Sequence, residues 1–252
     1  KQRELNEKLI KIAIIFAAAI SILTTFGILF SILFEAIEFF KLRSFWYFLT
    51  GTVWTPGVAG SQFGALPIFA GTFVITVIAL LVAIPIGLGS AIYMSEYASP
   101  KLRDYLKPLL EVLAGIPTVV YGFFAAVTVA PFVVKVAAIF GLEATFNSAL
   151  ASGVVMGIMI IPLVSSLSDD VIKAVPDSQR KAAFGLGMTH GETIKNIVLP
   201  SAMPGIISAS LLALSRALGE TMIVVMAAGL RPNLSWNPLE DMTTVTVTIV
   251  NS

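Results

Sequence analysis

The stretch IFAGTFVITVIALLVAIPIGLGSAIYM, residues 68–94, contains no charged side chain. A helix of about 20 apolar residues crosses the hydrocarbon core of a bilayer, so this stretch is long enough to span a membrane. Four further runs have the same character. The five predicted spans are residues 12–34, 68–94, 109–132, 150–167 and 205–229. The sequence therefore predicts an all-α, polytopic bundle of membrane helices.

The composition agrees with a membrane location and excludes several other classes. Of the 252 residues, 57% are hydrophobic and 12% are charged, whereas soluble domains carry about 25% charged residues. The net charge of +1 gives no reason to expect a nucleic-acid partner. Because the chain has no cysteine, we predict no disulfide and no thiolate metal site. We also predict no catalytic residue.

The distribution of lysine and arginine predicts the orientation. Cytoplasmic loops are enriched in these residues. Eleven lysines and arginines lie before the first span, between the second and third spans, or between the fourth and fifth spans. Only four lie in the segments on the opposite side of the membrane. The N-terminus is therefore predicted to be cytoplasmic. The first apolar run is too long for a signal peptide and is interpreted as a retained helix.

The predicted cytoplasmic loop 168–204 has the pattern of two short helices joined by a glycine turn. Gly187 is expected to take the left-handed conformation that ends the first helix. Thr189 and Glu192 have the spacing of a capping box at the start of the second helix, which Pro200 is expected to end near Val198. Exposed apolar side chains would suit docking of a partner, although the loop could also pack on its own bundle. The predicted patch comprises Ala182, Ala183 and Leu186.

Two charges lie inside the predicted fifth span, in the sequence SRALGETMIVV, residues 215–225. Each charge costs about 2.5–3.5 kcal/mol at the centre of a membrane helix on insertion scales. Arg216 and Glu220 are expected to share one face of this helix, since they are four residues apart. They could line a substrate path or form a structural ion pair within the bundle, and the sequence leaves both open. Ser208, Ser215 and Gly219, continued by Ala209 and Ala213, would surround them with small side chains.

The sequence Gly115-Ile116-Pro117 predicts a second irregularity, within the third span. It would interrupt the helix and free backbone groups, which could bind an ion or could simply mark a kink for close packing. Tyr121 follows one turn later and belongs to the same candidate site. His190, the only histidine, is predicted to be a surface residue.

The sequence KAAFGLGMTHGETIKNIVLP, residues 181–200, resembles the EAA loop of ABC importer permeases. Lys181 stands where the family has glutamate, so the chain departs from the motif there. The resemblance implies that this loop docks on an ATPase subunit. The chain has no phosphate-binding Gly-x-x-x-x-Gly-Lys-Ser/Thr sequence, so ATP hydrolysis is expected on that separate subunit and no cofactor is expected here. The matching positions are Lys181, Ala182, Ala183, Gly187, Ile197, Leu199 and Pro200.

Three further stretches resemble the phosphate-import permeases of the PstC type: EVLAGIPTVVYGFFA at 111–125, IPLVSSLSDDVIKAVPDSQRKAA at 161–183 and LSRALGETMIVVMAAG at 214–229. The resemblance implies a type I ABC importer permease domain over residues 67–252. An N-terminal helix and outer loop, residues 1–66, would precede it, and a sixth span is expected beyond Ser252. It also implies a substrate path for phosphate, with Arg216, Glu220, Ser215 and Thr221 as its candidate residues.

The same resemblance implies the partners and the location. These are a PstA-like permease subunit in a heterodimer, two copies of an ATPase subunit, a periplasmic phosphate-binding protein, and the lipid bilayer of a bacterial inner membrane. A sulfate or molybdate permease of the same architecture is one alternative function. An ion-driven secondary transporter, with Glu220 as the group that binds a proton, is another.

The predicted orientation can be tested by cysteine labelling, because the chain has no cysteine of its own. We expect Ser235→Cys to react with a membrane-impermeant maleimide in intact cells and Ser178→Cys to react only after the cells are opened. Reaction of Ser178→Cys in intact cells would show that the orientation is wrong.

Overall fold

The computed structural model of the chain describes residues 2–57 and 61–251. In this part of the chain, five helical segments are long and apolar enough to cross a membrane: Glu7–Leu42, Leu66–Tyr97, Thr118–Ile139, Ala149–Lys173 and His190–Leu218. The number of spans and the all-α class are therefore confirmed. The described residues include one antiparallel strand pair, β1 (Trp54–Thr55) and β2 (Gln62–Phe63).

The helices follow one another with short connections. Three π-helical segments, Tyr93–Tyr97, Ala125–Val129 and Ile194–Val198, continue or join them. In chain order the helices are α1 (Gln2–Leu42), α2 (Phe45–Thr50), α3 (Leu66–Ile92), α4 (Pro100–Ala114), α5 (Thr118–Phe124), α6 (Ala130–Ile139), α7 (Ala149–Lys173), α8 (Asp177–Gly185), α9 (His190–Thr193), α10 (Leu199–Leu218), α11 (Met222–Ala227) and α12 (Val245–Asn251).

The chain divides into two compact units, which comprise residues 1–51 and residues 52–252. In the first unit, α1 continues well past the predicted end of its span, and α2 follows at once. Edge-to-face contacts of Phe40 with Phe45 and Phe48 hold the turn between these helices. The division lies between Gly51 and Thr52, so the strand pair belongs to the second unit, although the sequence pattern groups residues 1–66 together.

The third span differs from its predicted bounds of 109–132. Helix α4 ends at Ala114, Gly115 caps it, and a new helix begins at Thr118 after Pro117. The pyrrolidine ring of Pro117 disfavours a helical conformation at the preceding residue, so the α4 helix cannot continue. The interruption expected at Gly115-Ile116-Pro117 is confirmed, and the span extends instead over Thr118–Ile139.

The fifth span also begins and ends earlier than predicted. Pro200 does not end the helix, because the π-helical segment before it widens the turn and Leu199 donates its N–H to the Ile194 carbonyl. A wider turn relieves the clash that a proline ring makes with the carbonyl four residues back. Pro131 follows the second π-helical segment in the same way. The predicted cytoplasmic loop is therefore shorter, and only residues 174–189 separate the fourth and fifth spans.

Close glycine contacts set the packing of the second unit. Helices α3 and α7 run parallel, with Gly153 against Ile78 and Gly157 against Val82. Helix α10 packs against α7 in the opposite direction, with Gly205 against Val171. Small residues let membrane helices approach closely, which is the main source of their packing energy. The central core contains Ile75, Met156, Ile160, Val164, Ala213 and Ile223.

The segment after α11 returns across one end of the bundle. The Pro238 and Glu240 carbonyls accept the first two N–H groups of α7, from Leu150 and Ala149, at 2.8 and 3.1 Å. These donors have no partner within their own helix. The chain then turns into its last described element. The structure has a helix there, α12, and the Val245 N–H donates to the Thr72 hydroxyl at 3.0 Å.

The glycine contacts give a prediction about stability. A Cβ atom on Gly157 would lie 2.7 Å from Val82 Cβ and 2.8 Å from the Ala79 carbonyl oxygen, both of which are held by α3. We expect Gly157→Ala to destabilise the chain by about 1–3 kcal/mol, as overpacking generally does, and to lower its melting temperature in detergent.

The matched control is Gly89→Ala in α3, where a Cβ atom would meet nothing within 4 Å. That change should be neutral or stabilising, since alanine favours a helix by about 1 kcal/mol over glycine. Equal melting temperatures for the two variants would contradict close packing at Gly157.

Candidate substrate path and coupling surface

The helix that carries Arg216 ends before Glu220. Helix α10 stops at Leu218, Gly219 caps it, and α11 begins at Met222. The expectation of one continuous helix with Arg216 and Glu220 on a common face is therefore wrong. The Glu220 side chain turns into the core, where the residue is 7% exposed. Its Oε1 accepts the N–H groups of Met222 and Ile223 at 3.1 and 3.3 Å.

Glu220 therefore acts as a cap for the interrupted helix. The first N–H groups of a helix lack partners, and in a membrane each would be costly to leave without one. The Glu220 carboxylate supplies that partner for α11. The main-chain carbonyl of Glu220 is also bound, since it accepts a hydrogen bond from the Thr246 hydroxyl at 3.0 Å. Both interactions fix the position of the break against the start of α12.

Arg216 lies in the last turn of α10 and is exposed on the surface of this chain. A cation there is favoured by the partial negative charge of a helix C-terminus. Among the described residues, no ion pair joins Arg216 to Glu220. Ser215 is exposed beside Arg216, whereas Thr221 is half-buried. Of the four predicted path residues, two are thus exposed on α10, Glu220 is buried, and Thr221 is half-buried.

The predicted stripe of small residues on α10 separates in the same way. Ser208 and Ser215 are exposed, but Ala209 and Ala213 are buried. They lie on the face that packs against the other helices of the second unit, with Ala213 in the central core. The expectation that these alanines continue the polar stripe is therefore wrong, because they form part of the packed side of α10.

Tyr121 stabilises the break that Gly115 and Pro117 produce. Its hydroxyl donates to the Leu113 carbonyl at 3.0 Å, and the Ile116 N–H donates to the same carbonyl at 3.3 Å. A carbonyl at the end of α4 is thereby satisfied within the chain, as a break near a membrane requires. This arrangement accounts for a tyrosine one turn after the break. Whether the site also binds an ion stays a prediction.

The two interrupted regions meet in the fold. A Cβ atom on Gly122 would lie 2.7 Å from Met226 Sδ and 3.2 Å from the Met222 carbonyl oxygen, so α5 and α11 are in close contact. The helix that follows the first break is thus packed against the helix that follows the second. Nothing in the spacing of these two regions along the sequence predicts this contact.

The segment between the fourth and fifth spans has most of the predicted local structure. Gly187 has φ +82°, which confirms its left-handed conformation. The capping box is also confirmed, since Thr189 Oγ1 accepts the Glu192 N–H and the Glu192 carboxylate accepts the Thr189 N–H. The second helix does not end at Val198, because it continues through the π-helical segment into α10.

A surface groove of about 560 Å³ lies beside α8. Two residues of the predicted apolar patch differ sharply in exposure, since Ala183 is 3% exposed and Leu186 is 81% exposed. Ala183 therefore packs within the chain at the groove floor, while Leu186 projects from its edge. Lys181 and Gly187 are exposed outside the groove, and Leu199 packs on an inner cluster. The motif residues that line the groove are Ala182, Ala183, Ile197 and Pro200.

Several ion pairs that the sequence did not predict lie at the end of α7, next to the segment between the fourth and fifth spans. Asp169 is almost fully buried and lies 2.8 Å from an Arg103 nitrogen and 3.0 Å from Lys173 Nζ. Lys107 Nζ lies 3.1 Å from Asp170 Oδ1. The fourth span continues past its predicted end at residue 167 to Lys173, with its aspartates paired in this way. The sequence shows these charges, but their partners on α4 are more than 60 residues away.

One carboxyl group outside the spans has a shifted pKa. Hydrogen bonds from the side chains of Ser235, Asn237 and Asn233 hold the pKa of the Glu240 carboxyl below its usual range. The Asn237 and Asn233 amide nitrogens lie 3.1 and 3.0 Å from its oxygens. Because the Glu240 carbonyl also caps α7, this network orders the segment that crosses the end of the bundle.

Comparison with known proteins finds a matching family and a solved structure of partial similarity. Residues 83–242 match the family described as binding-protein-dependent transport system inner membrane component. Among solved structures, an inward-facing MetNI methionine ABC transporter covers 66% of this chain and 73% of the compared chain, with 20% identity and a TM-score of 0.48.

Several curated relatives match most of the chain. The probable ABC transporter permease protein YqgH of Bacillus subtilis is 35% identical over 80% of this chain and 64% of that protein. The phosphate transport system permease protein PstC 1 of Mycobacterium bovis is 33% identical over 81% of this chain and 70% of that protein. PstC of Mesorhizobium japonicum is 35% identical over 81% of this chain and 66% of that protein. The chain spans about two thirds of the length of these relatives. It belongs to the family of binding-protein-dependent transport system inner membrane components, the membrane permeases of ABC transporters.

Proposed function

We propose that this chain is the permease subunit of an ATP-driven importer of inorganic phosphate and forms half of the translocation path. The observation that carries the proposal is Arg216, an exposed cation on a membrane-spanning helix with no ion pair among the described residues. The PstC relatives, named for phosphate transport, support phosphate as the anion.

The position of Arg216 favours a path over the lipid. A charged side chain within a membrane faces the bundle interior, a water-filled cavity or a second chain, because exposure to hydrocarbon is costly. Arg216 does not face the interior of this chain. It therefore faces a surface that a second permease subunit completes. The planar guanidinium offers several donors that match phosphate oxygens, and it stays charged at any physiological pH.

We infer that Glu220 is neither a residue of the substrate path nor an ion-pair partner of Arg216. Its carboxylate is engaged by the N–H groups of Met222 and Ile223, so it does not neutralise Arg216. We assign it to the helix break, where it holds the end of α10 and thereby the position of Arg216. Ser215, exposed beside Arg216, adds a hydroxyl that can donate to the anion.

The proposal includes the partners and the location. A PstA-like subunit would complete the path, two ATPase subunits would dock at the segment around α8, and a periplasmic binding protein would deliver phosphate. The chain would lie in the bacterial inner membrane with its N-terminus in the cytoplasm. Sulfate or molybdate is the alternative substrate for the same architecture. Uptake without ATP would indicate a secondary transporter instead.

Substitution of Arg216 tests the path. We expect Arg216→Met to abolish ATP-dependent uptake of radiolabelled phosphate by proteoliposomes that contain the complete importer. Arg216→Lys should recover only part of the uptake, because a point charge replaces the planar fork. Ser208→Ala is the matched control, since Ser208 is exposed on the same helix and its hydroxyl donates to the Pro204 carbonyl of that helix.

Complex assembly is measured for each variant by co-purification of the ATPase subunit. Wild-type uptake by an assembled Arg216→Met complex would exclude Arg216 from the path. Preferential uptake of sulfate or molybdate by the unmodified complex would contradict the choice of phosphate.

Substitution of Glu220 separates capping from substrate binding. Glu220→Ala leaves the N–H groups of Met222 and Ile223 without their acceptor, which we expect to cost about 1–3 kcal/mol of stability. Glu220→Gln keeps an acceptor oxygen, so the melting temperature should fall less and uptake should largely persist. Loss of uptake in a Glu220→Gln complex with unchanged stability would instead indicate direct contact with the substrate.

A further inference from the structure

Arg180 joins the short helix α8 to the ends of two membrane spans. Its guanidinium forms an ion pair with Glu96, in the π-helical segment that ends the second span. The Nη2 atom also donates to the Ile172 carbonyl at 2.9 Å, in the last turn of α7. The Arg180 side chain thus contacts the ends of the second and fourth spans, although Arg180 itself lies between the fourth and fifth spans.

The contact is shielded from water. The side chain of Glu96 is 4% exposed and that of Arg180 is 18% exposed. Removal of one member of such a pair leaves the other charge buried without its partner, so the two side chains are strongly coupled. The planar guanidinium can hold both acceptors at once, which a lysine ammonium cannot do with the same geometry.

Glu96 also receives a contact from α9, at the start of the fifth span. His190 Nε2 lies 3.2 Å from the Glu96 carbonyl oxygen, and the His190 ring packs edge-to-face on Tyr97. Helices α8 and α9 therefore both hold the end of the second span. By contrast, the rim of the groove beside α8, including Leu186, is exposed. Arg180 thus binds α8 to the second and fourth spans, whereas the groove on the open side of α8, next to the fifth span, is free to receive a partner.

We propose that Arg180, through Glu96, is the positioning residue that transmits movement of α8 to the membrane spans. This inference rests on the proposed function, in which an ATPase subunit docks on the open side of α8. A displacement of α8 would carry the ends of the second and fourth spans with it, because Arg180 bonds to both. Without the pair, a displacement of α8 would be transmitted less completely to the ends of the second and fourth spans.

The test measures phosphate transported for each ATP hydrolysed by the complete importer in proteoliposomes. We expect Arg180→Gln and Glu96→Gln to lower this ratio about 2- to 30-fold, the range in which single contacts alter coupling between sites. The double variant should be no worse than either single one, since both remove the same contact. Arg180→Lys should restore part of the ratio.

Asp177→Asn is the matched control. Asp177 approaches the same guanidinium at 3.8 Å, but it lies on α8 itself and is 84% exposed. Its substitution should leave the ratio unchanged, because no contact between α8 and the spans is lost. Complex assembly is followed by co-purification of the ATPase subunit.

Three outcomes would overturn the proposal. Uptake and ATP hydrolysis could fall in proportion, which indicates a loss of active complex rather than of coupling. The ratio could stay at its wild-type value. All of the Arg180 and Glu96 variants could fail to assemble, which would make the pair a requirement for folding only. If the unmodified importer takes up sulfate and not phosphate, the proposed substrate fails, and the ratio is measured with sulfate.

Discussion

In the membrane core, a backbone N–H or carbonyl group without a hydrogen-bond partner costs several kcal/mol, and the two helix breaks beside the spans of this chain meet that constraint with side chains. Where the helix is interrupted after α4, the Tyr121 hydroxyl binds the freed Leu113 carbonyl. Where it is interrupted after α10, the Glu220 carboxylate binds two N–H groups of α11. At Pro131 and Pro200 the helix continues without a break, after π-helical turns that the Ala130 and Leu199 N–H groups close by donating to the Ala125 and Ile194 carbonyls.

The breaks also organise the packing. Close contact of α5 with α11 at Gly122 joins the two interrupted regions. The parallel pair α3 and α7 forms the other half of the core through Gly153 and Gly157. Since lipid is as apolar as these side chains, close van der Waals packing rather than burial from water holds the helices together. Glycine at these contacts is thus a requirement of the fold rather than a source of flexibility.

The charges of the chain divide into two groups with different physical roles. Asp169, Glu96 and Arg180 have partners at one end of the bundle, where α4 and α8 meet the ends of the spans. Such pairs fix relative positions, because a buried charge strongly disfavours separation from its partner. Arg216 lies apart from them, exposed near the end of α10. This difference makes Arg216 the candidate for contact with an anion and makes the paired charges candidates for mechanical links.

The sequence by itself determined the number of spans, the left-handed turn at Gly187, the capping box at Thr189 and the interruption at Pro117. Each depends on local composition or on the conformational limits of a few adjacent residues. Only the tertiary structure decided which way Glu220 points, which partners Asp169 and Arg180 take, and that Ala183 is buried. These outcomes depend on contacts between residues far apart in the chain. The helical period alone placed Glu220 on the same helix face as Arg216, which is wrong. The physical reason is that the period holds only while the helix is continuous, and here the helix ends at Leu218 and Glu220 caps the helix that follows.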